Sequence, residues 1–148
     1  MRRSRLPARV ISDIMVKTIC EVMSMIDFKN ASYLKLTRVN TMADINVVDS
    51  ILVPGEDIVA EYKSMRDFIV FTDRRIIAVN VQGFTGKKKD FTSLPYARIQ
   101  TFSVETAGVF DLDSELELYF SGLGLVRFEF SGVDNIMDIV RLIGEKVL

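Results

Sequence analysis

Apolar residues recur at two different spacings along this chain, and the change from one to the other divides it. In residues 1–24, Ile11, Ile14, Met15, Ile19, Val22 and Met23 keep a helical spacing, with Ser12, Asp13, Lys17 and Glu21 mostly off that stripe. The spacing predicts an amphipathic helix. Residues 26–39 carry Phe28, Tyr33, Leu34, Leu36 and Val39 without a clean period and read as a partly ordered connector. Thr41 then resembles a helix N-cap with Asp44 three residues on, and Met42, Ile45, Val48, Ile51 and Leu52 share one face of a short predicted helix over 41–53. Pro54-Gly55 ends it.

Beyond residue 57 the period falls towards two. Segments 57–63, 67–72, 75–81, 87–94, 98–105, 115–121 and 125–131 are rich in β-branched and aromatic residues, which predicts seven strands. The links between them are short and hold turn residues such as Asp73-Arg74, Gly83 to Gly86, Pro95-Tyr96 and Gly122 to Gly124. Short links require antiparallel neighbours, because a parallel crossover needs about a dozen residues or more. Leu116, Leu118 and Phe120 alternate with Glu115, Glu117 and Tyr119, and Val126, Phe128 and Phe130 with Arg127 and Glu129, as in a half-buried hairpin. Phe68, Ile69, Val70 and Phe71 are apolar on both faces, which suits a strand covered twice or one bordering a subunit contact. From about Asp134, Ile136, Ile139, Val140, Ile143 and Val147 form the stripe of a helix that would plug one end of a curled sheet. The expected fold class is mainly β (α+β): a seven-stranded antiparallel barrel or sandwich capped by a C-terminal helix, with N-terminal helical segments.

Composition narrows the chemistry. The 148 residues suit one domain, and 49% apolar residues with a net charge of −1 describe an ordinary globular protein rather than a nucleic-acid binder. Charge is uneven, however. Residues 1–24 hold Arg2, Arg3, Arg5, Arg9 and Lys17 against Asp13 and Glu21, net +3, whereas the rest holds 14 basic and 18 acidic residues. Such a leader could lie on an anionic membrane, pack on the domain or a partner, or be an extension foreign to the native protein. Cys20, the single cysteine, leaves no intrachain disulfide, and a reducing compartment is the simplest reading. The absence of histidine removes catalytic triads, His-metal sites and the usual general base near neutral pH. No run of about eighteen apolar residues crosses a bilayer as a helix.

The remaining motifs are weak as catalytic or metal signatures. Gly83-Phe84-Thr85-Gly86-Lys87-Lys88 has two residues between its glycines where a phosphate loop has four, and no Ser or Thr after Lys87, so it reads as a hairpin turn. Lys87, Lys88 and Lys89 form the only basic run in the body of the chain. With Arg66, Arg74 or Arg75 they are candidates for an anionic-headgroup contact; the alternative is a solvated, edge-protecting cluster. Asp111, Asp113, Glu115 and Glu117 alternate, so a continuous strand would turn all four to one side. An EF-hand reading fails, since Leu116 and Gly122 occupy its glycine and twelfth positions. An intersubunit or cross-strand ion network with Lys87, Lys89 or Arg127 fits better. Together with Phe68 and Phe71, these four acids are the candidate oligomer interface. No residue pair is nominated for catalysis, no metal site is expected and no cofactor is expected.

Seven short antiparallel strands followed by one amphipathic helix is also the order of a pleckstrin-homology-like domain. The stretches Phe71-Thr72-Asp73-Arg74-Arg75-Ile76, Gly83 to Lys88, Ser93 to Tyr96 and Phe102 to Gly108 resemble the bacterial pleckstrin homology family, formerly a domain of unknown function, and the resemblance covers about residues 25–148. It implies a PH-like barrel without catalysis that forms ring-shaped homo-oligomers through strand edges and neighbouring helices, a pentameric ring being one such form. Similar sequences begin near Met25-Ile26-Asp27-Phe28, which points to Met25 as an alternative start and to residues 57–148 as the PH-like domain proper, preceded by a connector and short helix over 25–56. The chain is therefore expected to be a cytoplasmic, non-enzymatic interaction module whose partner is itself, a further protein or an anionic membrane surface.

Overall fold

The structure, a computed structural model, describes residues 35–39, 47–132 and 136–148. Its strands are β1 (Thr37–Arg38), β2 (Ile58–Ser64), β3 (Asp67–Thr72), β4 (Arg75–Gln82), β5 (Lys88–Pro95), β6 (Ile99–Glu105), β7 (Ser114–Phe120) and β8 (Gly124–Phe130), and helix α1 spans Ile136–Val147. All seven expected strands and the closing helix are present. The strands form a five-stranded sheet in the order β1-β2-β3-β4-β5 and a three-stranded sheet β6-β7-β8, with every ladder antiparallel.

Alternation builds the core between the sheets. Tyr62 of β2, Phe71 of β3 and Phe128 and Phe130 of β8 turn inward, and Tyr62 meets Phe130 edge-on at 4.8 Å and Phe71 at 5.8 Å. Edge-to-face rings of this kind add attraction beyond their buried area. Ile136, Ile139 and Ile143 of α1 bury their stripe in the same core. The chain changes sheets at a 3-10 turn, Tyr96–Arg98, where buried Tyr96 donates its hydroxyl to the Thr72 carbonyl at 2.8 Å. Burial, and then the nearby Asp73 and Glu56 carboxylates, push the Tyr96 phenol well above its usual range.

The connector expected over 26–39 proves firmly paired where it is described. Leu36, wholly buried, makes a parallel bridge to Phe130; its N–H donates to the Glu129 carbonyl at 2.8 Å, and its carbonyl accepts from Ser131 at 2.9 Å. The next residues pair with β2, Thr37 opposite Lys63 and Arg38 opposite Tyr62. This short segment therefore stitches the β8 edge to the β2 edge. On the other side β5 and β6 have no second strand partner among the described residues.

The double-sided apolar strand is explained within one chain. Ile69 and Phe71 face the main core, while Phe68 and Val70, with Ile77 and Val79 of β4, form a second cluster with Val48, Ile51 and Leu52. Phe71 is 0% and Phe68 8% exposed. Neither presents a surface to another subunit, which corrects the interface expected at these two residues. Of the helix expected over 41–53, only residues 47–53 are described, and they form no α-helix. Residues 41–46 lie outside the described residues, as does the leader helix of residues 1–24, and the cover over Phe68 and Val70 is a 3-10 turn, Asp49–Ile51, leading into extended Leu52.

Candidate interaction surface

The arginines and lysines that the sequence offered as one cationic cluster separate into two groups. The β4–β5 register sets Arg75 opposite Pro95 and Gln82 opposite Lys88. At about 3.3 Å per residue the two ends of β4 are roughly 23 Å apart. At the first end, Gly55 (φ 75°) completes a turn that leads Glu56 under the sheet. The buried Glu56 carboxylate accepts from Arg75 Nε at 2.8 Å and Nη2 at 2.9 Å, from the Thr72 hydroxyl at 2.8 Å and from the Val53 N–H at 3.0 Å. The paired guanidinium, with the Val53 and Thr72 donors, outweighs burial and holds this carboxyl down at about 2. Arg75 also donates to the Ile51 carbonyl and to Ser93 Oγ, and Arg74 donates to the Gly55 carbonyl at 2.9 Å. Arg74 and Arg75 thus fasten residues 51–56 to the sheet, and neither reaches the lysines.

At the second end, the β2–β3 and β4–β5 hairpins stand side by side, joined where Arg66 Nη2 donates to the Gly83 carbonyl. Gly83 (φ 73°) and Gly86 (φ 63°) supply the left-handed conformations of the β4–β5 turn, which leads into strand β5 rather than a helix. Asp67 accepts from the Val81 N–H at 2.9 Å and braces the two hairpins, and burial raises its carboxyl above the ordinary range. The tips expose Met65 and Phe84, beside exposed Arg66, Lys87, Lys88 and Lys89.

The four alternating acids also divide. β7 begins at Ser114, so Asp111 and Asp113 lie in the preceding loop, where Asp111 Oδ1 accepts from the Asp113 N–H at 3.1 Å. Glu115 and Glu117 stand on the outer face of β7. Glu117 Oε1 accepts from Arg127 of β8 at 2.9 Å (Nε) and 2.5 Å (Nη2), and Glu115 lies 3.6 Å from Arg127 Nε. The cross-strand network with Arg127 is therefore present, and Glu117, followed by Glu115, raises the Arg127 guanidinium further. Register also aligns Glu105, Glu115 and Glu129 in one row across the sheet, so this face carries more acid than Arg127 neutralises. Among the described residues no His, Cys, Asp or Glu group is arranged to hold a metal ion.

Sequence reasoning passed over the apolar residues in turns: Met65, Phe84, and Val109, Phe110 and Leu112 of the β6–β7 loop, all exposed. Their signal was available as large apolar side chains set among glycine, aspartate, serine or arginine, outside any period.

This two-sheet arrangement with a closing helix has close counterparts. Residues 27–147 match the family described as bacterial PH domain. The chain belongs to the bacterial PH domain family. A relative, uncharacterized protein YjqA of Bacillus subtilis (strain 168), is 52% identical over 95 residues, which span 63% of this chain and 76% of YjqA. Uncharacterized protein YozO of the same organism is 40% identical over 80 residues, 54% of this chain and 69% of YozO. Among solved structures, a DUF1696 family protein with a pleckstrin-homology domain from Shewanella loihica PV-4 is 34% identical with a TM-score of 0.66, over 78% of this chain and 99% of that one. A pleckstrin homology domain from Shewanella amazonensis SB2B is 36% identical with a TM-score of 0.55, over 74% and 94%. The bacterial PH fold places the stitched seam, the paired hairpin tips and the acidic outer face on one small scaffold, a frame suited to binding.

Proposed function

We propose that this bacterial PH domain is a non-enzymatic, cytoplasmic scaffold module that assembles with copies of itself into a closed ring. The observation that carries this reading is the pair of unpaired edges. Segment 36–38 closes one seam between the sheets, whereas β5 and β6 leave their outer backbone groups without a strand partner among the described residues. Open edges are templates for strand addition. Two different edges on one subunit favour a head-to-tail contact, which closes into a ring when the rotation allows. Asp111, Asp113, Glu115 and Glu117, on and beside the sheet that β6 borders, carry acid beyond what Arg127 neutralises, which supports a cationic neighbour. The shifted carboxyls, Glu56 and Asp67, are occupied in holding the fold, which supports a non-catalytic role. Multi-angle light scattering on residues 25–148 at tens of micromolar should return a defined multiple of the subunit mass. A monomer there would reject the proposal.

A second reading, peripheral binding to anionic lipid at the inner membrane surface, is favoured by the joined hairpin tips with Arg66 and Lys87 to Lys89. Co-sedimentation with phosphatidylglycerol vesicles should then fall as salt rises. Binding that survives replacement of all three lysines would eliminate this site.

A further inference from the structure

Two exposed apolar groups stand at the far ends of the unpaired edges, and their electrostatic settings are opposite. The hairpin tips, at the start of β5, show Phe84 at 110% and Met65 at 94% exposure within a basic surround. The β6–β7 loop, at the end of β6, shows Phe110 at 102% and Val109 at 89%, flanked by Glu105, Asp111 and Asp113. A single exposed apolar side chain is ordinary. Two groups on structured loops, each rimmed by one sign of charge, have the make-up of an interface: an aromatic anchor inside a polar rim.

Both loops are held in shape. The Gly108 N–H donates to the Asp111 carbonyl at 2.6 Å, and the Ala107 N–H to Ser114 Oγ at 3.2 Å. The tip is fixed by Arg66 on the Gly83 carbonyl and by the Gly86 N–H on the same oxygen at 3.4 Å. Such preorganisation lowers the ordering cost of association. Full exposure of Phe84 and Phe110 also means that neither covers the other within one chain.

We propose that the β6–β7 loop of one copy docks on the paired hairpin tips of the next, Phe110 and Leu112 against Phe84 and Met65, with the acidic rim facing the lysines. This rests on the self-assembly reading above and adds which surfaces meet. Because the two surfaces differ, each copy offers one of each, and the contact is head-to-tail.

The test uses the full chain in analytical ultracentrifugation at 20–100 µM, about the range in which weak head-to-tail contacts fill. A tip variant, Phe84→Ser with Lys88→Glu, and a loop variant, Phe110→Ser with Asp113→Lys, change exposed or half-exposed groups, and circular dichroism checks that both fold. Each alone should sediment as a monomer, with self-affinity down at least tenfold. Mixed one to one, they should form a heterodimer and nothing larger, since one intact surface remains on each. If the wild-type chain assembles and both variants assemble equally well, or if the mixture stays monomeric, the docking geometry is overturned while self-assembly stands. If the wild-type chain is itself monomeric, the underlying reading falls as well. Retention of the tip on phosphatidylglycerol vesicles by a monomeric wild-type chain would instead assign that surface to the membrane and overturn the proposal.

Discussion

Arg75 grips Glu56 with two nitrogens, at 2.8 and 2.9 Å, although nineteen residues separate them. The pair ties the turn after residue 51 to the start of β4, and a fully buried carboxylate is tolerated there because four donors surround it. Replacing Glu56 by Ala should destabilise the domain by about 3 kcal/mol, as expected for removing one partner of a largely buried pair. The free-energy difference in urea unfolding is the measurement.

The same carboxylate sets the acid limit. Its folded pKa, about 2, lies below the ordinary 4.5. A depressed carboxyl contributes stability above its unfolded pKa and loses that contribution as pH falls through the folded one. Stability should therefore drop between about pH 4.5 and pH 2 in the wild-type chain, and this arm should flatten in Glu56→Gln. Asp67, raised by burial, works in the opposite sense: its contribution is lost as pH rises through its folded pKa.

Phe71 and Phe84 are the same residue type at opposite extremes of exposure. Phe71→Ala should cost about 3–5 kcal/mol through lost transfer energy and a core cavity. Phe84→Ala, on a tip that is bare in the single chain, should leave the stability of the dissociated subunit within about 0.5 kcal/mol. Thermal unfolding of the two variants side by side gives the contrast, and equal losses would contradict the core assignment.

The Glu117–Arg127 pair is short but lies on an open face. Exposed ion pairs contribute about 0–1 kcal/mol. A double-mutant cycle with Glu117→Ala and Arg127→Ala should return a coupling in that range, smaller at high salt.

Amide exchange at Leu36 and Ser131 reports on the seam. Both N–H groups are hydrogen bonded across the two sheets, so they should be as protected as central strand amides, and Leu36→Ala should speed exchange at both.

The strands were legible because alternation in segments such as 114–120 and 124–130 is strong and short links allow only antiparallel neighbours. β1 was not, since two residues cannot display a period and only the neighbouring bridge to Phe130 and the pairing with β2 identify them as strand. Phe68 and Val70 announced a second buried face, but among the described residues a single 3-10 turn at Asp49–Ile51 helps cover them, and its apolar spacing reads like that of an α-helix. Arg74 and Arg75 looked like companions of Lys87 to Lys89 because all are cationic. Strand direction separates them, and the partner that absorbs Arg75, Glu56, carries no motif of its own.

Leu36 and Phe130 meet across the sequence, about ninety residues apart, and contacts that distant form late because a long loop must close before they give any return. On the ribosome, therefore, the hairpins of β2 to β5 can settle as they emerge, but the clasp at Leu36 has to wait until β8 is made. Until then Leu36, wholly buried in the finished domain, lacks the strand it will lie against, so the nascent chain has a window in which a neighbour's strand can compete for the place its own β8 will take.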